Sequence, residues 1–183
     1  MTFDFKERLA FSKGMRGRTD TETIKSMIED CISIELATQR QDRLGIDYIA
    51  TLNSGQEIYI DAKARDAGCS QFWRSSMPEL ALEDWSVMPD RDHCGKVGWT
   101  LDTSKQTQLV LFTFDPVDTD RCYLISFQLL RIAFKRNKDR WLSEYKSAPQ
   151  VNNGWISHCV FVPVREVFKM VLQASCGRIP RNS

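Results

Sequence analysis

Residues 45–65, GIDYIATLNSGQEIYIDAKAR, decide the fold. Two short runs rich in Ile, Tyr, Thr and Leu, residues 47–52 and 57–63, flank Asn53, Ser54 and Gly55, the residue types that close a hairpin. They predict two antiparallel strands. Successive side chains on a strand point to opposite faces, so Asp61 and Lys63 share one face while Ile60 and Ala62 share the other. A three-residue loop with Gly55 in the left-handed position pairs Leu52 with Gln56, and counting back sets Asp47 opposite Asp61. Like charges so placed, with Cβ atoms about 4.5–5.5 Å apart, repel, and something positive belongs between them. A hard cation such as Mg²⁺ is held by one or two carboxylates plus waters and substrate phosphate, and this pair supplies such a half-shell. A two-residue loop would slip Asp47 out of opposition.

These residues resemble the PD-(D/E)XK phosphodiesterase superfamily, the restriction-endonuclease-like fold. Asp47 matches its first acidic position and Asp61-Ala62-Lys63 its D-x-K element. Two departures stand out: Ile46 occupies a position where many members carry proline, and Asp61 is the less frequent of the two acids. The resemblance covers about residues 20–65 and implies a mixed central sheet flanked by helices. It also implies a Mg²⁺ site, with Mn²⁺ able to substitute, made by Asp47, Asp61 and the backbone carbonyl of Ala62. Lys63 would position the attacking water or neutralise the phosphate charge. The rest of the chain is similar to small phage or prophage proteins, which implies a host-cytoplasm setting.

The upstream segment fits the same core. Thr19-Asp20-Thr21-Glu22 reads as a capping box, and Ile24, Met27, Ile28 and Cys31 recur at helical spacing, which predicts a helix over about 21–30. Ile32, Ile34 and Leu36 alternate with Ser33, Glu35 and Ala37, which predicts a strand. Antiparallel pairing of that strand with 47–52 puts its far end beside Asp47 and brings the helix start to the same end. Glu22 is the helix carboxylate best placed to join a metal site, although capping alone accounts for it. Glu35 has a comparable claim. Asp47 could equally end a loop, and Asp61 could pair with Lys63 or Arg65 on a solvated edge, a common guard against aggregation. Ile and Ala on the opposite face favour a central, covered strand.

Further along, residues 78–88 predict a helix with Pro78 in its first turn and Leu80, Leu82, Trp85 and Met88 apolar. Glu79 and Glu83 would share a face there, as solvated residues or as further metal ligands. Residues 108–114 and 122–127 predict a hairpin around Asp115-Pro116-Val117-Asp118. Residues 156–162 predict a strand, and Pro163 opens a terminal helix with Val164, Val167, Phe168, Val171 and Leu172 on its buried stripe. One α/β sheet accommodates all of these, in a single domain over 1–176 with a frayed tail over 177–183.

Composition bounds the function. A chain of 183 residues is long enough for a substantial core. No run of about 18 apolar residues occurs and the charged N-terminus lacks a secretory segment, so a soluble, cytoplasmic protein is expected. The 6 cysteines have no paired spacing and read as reduced core thiols. With 2 histidines, His93 and His158, imidazole ligation has little to draw on, and the Asp90–Cys94 segment reads as a polar loop.

A net charge of +1 decides nothing about nucleic acid, because binding follows local patches. Arg65, Trp73 and Arg74 form one candidate patch. The run 131–141, with Lys135, Arg136 and Lys138 among the aromatics Phe134 and Trp141, forms another that could grip phosphates and stack bases. An amphipathic helix with a solvated basic face explains the same run. Lys105 is a further basic residue that could approach a substrate. The expectation is a metal-dependent deoxyribonuclease with DNA as substrate; homodimers are common in the resembled family, but no coiled coil or exposed apolar stripe in this chain predicts one. The alternative is a non-catalytic nucleic-acid-binding module, or a phage inhibitor docking on a host protein, that retains the fold. RNA as substrate is a third option, since nothing in the residues distinguishes the sugars.

Overall fold

The computed structural model describes residues 21–66, 78–115, 122–152 and 154–176, the side chains of 22, 23, 66 and 115 excepted. The described chain divides into two compact units. The first takes in 21–66 and 103–127, and the second 78–102 and 128–176.

The first unit opens with α1 (Thr21–Ser26), followed by β1 (Cys31–Leu36), a one-turn α2 (Gln39–Asp42), β2 (Tyr48–Leu52), β3 (Glu57–Asp66), β6 (Leu109–Asp115) and β7 (Tyr123–Ser126). Its sheet has the order β1-β2-β3-β6-β7. The pairs β1/β2, β2/β3 and β6/β7 are antiparallel, and β3/β6 is parallel. The helix expected to reach Asp30 stops at Ser26; the next two residues turn back on Ile24 and Lys25, and Asp30 adopts φ 58°. Sharply reversing the chain into β1 requires that left-handed residue, and Asp is among the few non-glycines that accept it.

The hairpin forms as expected. Tyr48 pairs with Ile60 and Thr51 with Glu57, Leu52 N donates to Gln56 O, and Gly55 has φ +81°. One face of the sheet carries Tyr48, Ala50, Ile60 and Leu111, all fully buried and joined by Ile24 of α1 and by Cys122. Side-chain alternation sends Tyr59, Asp61 and Lys63 to the other face, with Val110 and Phe112 of β6 beside them. On the edge strand β1, Ile32 and Leu36 are exposed, and Ile34 packs on the core.

The second unit holds β4 (Glu79–Val87), β5 (Lys96–Val97), α3 (Phe127–Glu144, whose first residue belongs to the first unit), β8 (Ser147–Val151), β9 (Ile156–Pro163) and α4 (Val164–Ser175). Its antiparallel sheet has the order β5-β4-β9-β8. Residues 78–88, expected as a helix, form the strand β4 instead. Leu80, Leu82 and Asp84 are buried in alternation, and β9 pairs with the strand from Glu79↔Pro163 to Glu83↔Cys159 and, past an irregularity at Asp84, at Trp85↔His158. Long-range pairing overrides a local pattern that fits both periods. The fold is therefore mixed α/β with two sheets, not one.

β8 has no apolar alternation to announce it and contains Pro149, which an edge position tolerates. The terminal helix starts after Pro163 as expected and packs on β4 and β9 through Val164, Val167, Met170 and Val171; Leu172, expected on that stripe, is exposed. Of the described cysteines, Cys122 is buried, Cys31 and Cys159 are half-buried, and Cys94 and Cys176 are exposed; all are free thiols. The core-thiol expectation thus holds for Cys122 and fails for Cys94 and Cys176. Among the described residues, no helix is long and apolar enough to cross a membrane.

Candidate active site

The approach to Asp47 is built locally. Thr38 and Gln41 form a reciprocal capping box at the start of α2, with Thr38 N donating to Gln41 Oε1 (2.9 Å). Gly45, at φ +81°, then turns the chain toward β2. A side chain would be strained there, which is why glycine serves. Asp47 precedes the first paired residue of β2. Its N–H donates to Ile60 O (2.7 Å) and its carbonyl accepts from Ala37 N (2.9 Å), so the backbone is fixed from both neighbouring strands.

The β2/β3 register ends at Tyr48↔Ile60, and the Asp47 N–H reaches the Ile60 carbonyl, so Asp47 enters β2 beside the start of the Asp61–Lys63 segment and not as a further regular pair. Asp47 Oδ2 accepts a hydrogen bond from the Ala62 backbone N–H at 2.8 Å. That contact aims the Asp47 carboxylate at the strand segment lying between Asp61 and Lys63. Asp61 Oδ1 in turn lies 2.8 Å from Lys63 Nζ. Asp47 is 4 % exposed and Asp61 3 %. Lys63 keeps 31 % of its side chain exposed, so the trio meets solvent on the lysine side. β3 is the middle strand of five, which rules out a solvated sheet edge as the setting of Asp61 and Lys63.

The cluster brings two carboxyl groups to one ammonium on a buried stretch of β3. Oxygen donors of this kind suit Mg²⁺ or Mn²⁺. Asp47 and Asp61 supply two carboxylates. No group of three or more His, Cys, Asp or Glu residues that could hold a metal occurs among the described residues. The donor set fits a cation completed by water and phosphate, not an all-protein cage.

The other sequence candidates divide. The side chain of Glu22, and Trp73 and Arg74, lie outside the described residues. Glu35 is exposed opposite Ile49. Arg65 is half-buried in β3 and shares the face of Asp61 and Lys63 by alternation. Neighbouring Tyr59 donates its hydroxyl to Glu57 Oε2 (3.0 Å), which holds the phenol above its usual pKa.

Lys135, Arg136 and Lys138 belong to the second unit. Lys135 and Arg136 are exposed on α3. Lys138 is committed elsewhere: its Nζ lies 3.6 Å from Asp84 Oδ2 and 5.6 Å from the Trp85 ring centroid. Phe134 and Trp141, candidates for base stacking, are fully buried and touch each other at 6.0 Å, so the amphipathic-helix account holds for the aromatics. Glu83 does not lie open for a metal; it accepts from Trp99 N (2.9 Å) and Ser86 Oγ (2.6 Å). Asp90 Oδ1 accepts from the backbone of Asp92 and His93 and contacts His93 Nδ1, an exposed turn that lowers the Asp90 pKa.

Two features escaped the sequence. Asp84, 3 % exposed, meets His158 Nδ1 at 2.6 Å as well as Lys138. Lys105, which the sequence could not place, lays its methylenes against Gly45: a Cβ built there would stand 2.7 Å from Lys105 Cδ. Neither the turn at Gly45 nor the residue that packs on it was read from the sequence. No family model, curated protein or solved structure matches this chain.

Proposed function

We propose that this protein is a Mg²⁺-dependent nuclease hydrolysing DNA phosphodiester bonds, with a restriction-endonuclease-like core in its first unit. One observation carries the proposal. The carboxylate of Asp47 is bonded to the Ala62 N–H between Asp61 and Lys63, in the middle of a covered sheet, so the D…D-x-K residues converge in space as well as in sequence. The mixed sheet, with a helix and three strands leading into it, supports the fold part of the proposal.

Asp47 and Asp61 would hold the cation, which would supply Lewis-acid polarisation of the scissile phosphate and a nucleophile at neutral pH. The protein's own groups do the rest. Ala62 N–H fixes the rotamer of Asp47, which keeps its carboxylate from swinging away when charge changes nearby. Asp61 orients Lys63, whose partly exposed ammonium meets the phosphate oxygens as negative charge builds. Glu22 is the remaining candidate for the same set.

The Lys63–Asp61 ion pair also favours a second reading, because it partly satisfies Asp61 without a metal. On that reading the fold is kept as a nucleic-acid-binding or inhibitor protein with no turnover. Cleavage of plasmid, linear duplex, single strand and four-way junction with Mg²⁺ or Mn²⁺ separates the two. Wild type should cut at least one substrate, and Asp61→Ala and Lys63→Ala should not. A folded wild type that cuts none of them, with either metal, would establish the second reading.

A further inference from the structure

Lys105 is a basic side chain that the site description leaves without a task. Its backbone is pinned: Gln106 N donates to Leu44 O (3.0 Å), Gln108 N to Tyr59 O (2.8 Å), and Tyr59 N donates back to Gln108 Oε1 (2.8 Å). Its stem crosses the bare backbone of Gly45, where the position of a Cβ would lie 2.7 Å from Cδ and 3.5 Å from Cγ and Cε. A residue other than glycine would push the stem away. The lysine is half-buried, yet its ammonium forms no hydrogen bond or ion pair with another described residue. Holding a long, flexible side chain in one place costs rotamer entropy, and no anion among the described residues offsets that cost.

Gly45 lies two residues from Asp47, at most about 7 Å along the chain. Nucleotides of one strand advance about 3.4 Å each along a helix axis. From these placements we infer that Lys105 is a substrate-binding residue, which takes a backbone phosphate flanking the one cut at Asp47, Asp61 and Lys63. This inference rests on the nuclease proposal and narrows it: the site takes a polynucleotide with a charged flank, not an isolated phosphodiester. Lysine, a compact point charge, fits sequence-independent phosphate contact. Cleavage selectivity would then owe nothing to this residue, which contributes affinity alone.

The test compares wild type, Lys105→Met and Lys105→Arg on a 20-nucleotide DNA strand and on a dinucleoside monophosphate, which has one phosphodiester and no flanking phosphate. Met keeps the stem over Gly45 and removes the charge, and equal melting temperatures confirm folding. Lys105→Met should raise KM several-fold on the 20-mer with kcat within about twofold. It should flatten the dependence of log affinity on log salt by about one unit and leave dinucleotide hydrolysis unchanged. Lys105→Arg should restore the 20-mer values. Unchanged KM and salt slope on the 20-mer, or an equal loss on both substrates, would overturn the inference while leaving the nuclease proposal intact. A folded wild type that cuts neither of these nor any member of the plasmid, duplex, single-strand and junction panel would overturn the nuclease proposal and the inference with it.

Discussion

Each of the two units buries an aspartate beside a lysine, and the two settings differ in charge. Asp61 and Asp84 are both 3 % exposed. Asp84 has His158 Nδ1 at 2.6 Å on one oxygen and Lys138 Nζ at 3.6 Å on the other, while Lys138 also caps the Trp85 ring. Two bases from two elements close on one acid, which is how a buried charge is made tolerable. Asp61 has one lysine from its own strand, and the carboxylate of Asp47 is bonded to the backbone of the next residue, Ala62. The difference teaches that burial of an aspartate is not itself a sign of function. The Asp84 cluster has the composition of a structural tie, whereas the Asp47–Asp61–Lys63 cluster brings two carboxyl groups and one lysine to the same stretch of β3.

Substitutions should separate the two clusters. The largest effect is expected on catalysis: Asp61→Asn should lower cleavage at least about a hundredfold, since a metal contributes several kcal/mol to the barrier and each 1.4 kcal/mol is about a factor of ten. Urea denaturation should meanwhile place its stability within about 1 kcal/mol of wild type, because Asn keeps the side-chain shape and the lysine that loses its acid is partly exposed to solvent. Asp84→Ala should do the reverse. It leaves a partly buried histidine and lysine without their acid and should cost about 2–3 kcal/mol of stability, read as a lower urea midpoint, while a folded sample keeps its cleavage rate. If Asp84→Ala abolished cleavage in a folded protein, the assignment of roles to the two clusters would be wrong.

Gly55→Ala should have a smaller effect. Nothing lies within 4 Å of its built Cβ, so the cost is the positive φ of +81° alone, about 1 kcal/mol in thermal or urea unfolding. A much larger loss of activity than of stability in that variant would mean the turn sets the Asp47–Asp61 register. The double variant Lys135→Ala, Arg136→Ala should change stability least, by at most about 0.5 kcal/mol, because both residues are exposed on α3. Fluorescence anisotropy with labelled duplex then asks whether α3 contributes to DNA affinity, which a lower salt slope would show.

The same comparison explains what the sequence could say. The hairpin β2–β3 was legible because its information is local: β-branched and aromatic alternation, Asn53-Ser54-Gly55 for the turn, and a period of two that places Asp61 and Lys63 together. The helix after Pro163 was legible for similar reasons. β4 was not, since Leu80, Leu82, Trp85 and Met88 suit a helical stripe nearly as well as a strand, and the partner that decides, β9, lies far along the chain. Nor was the Asp84–His158 contact. It depends on the irregularity between Glu83 and Trp85, where Gly98 N donates to Asp84 O (2.9 Å) and a Cβ on Gly98 would collide with the Glu83 backbone. No short-range pattern encodes such a meeting.

Mn²⁺ binding followed by electron paramagnetic resonance on the folded protein tests the central claim most directly, since it asks for the cation without asking for turnover. Wild type should bind Mn²⁺ at a specific site, Mg²⁺ should compete for it, and Asp47→Asn and Asp61→Asn should each weaken it at least tenfold while Asp84→Asn leaves it unchanged. Absence of specific binding by folded wild type, or equal binding by Asp61→Asn, would contradict the account and leave the Asp47–Asp61–Lys63 cluster a structural tie like its counterpart in the second unit.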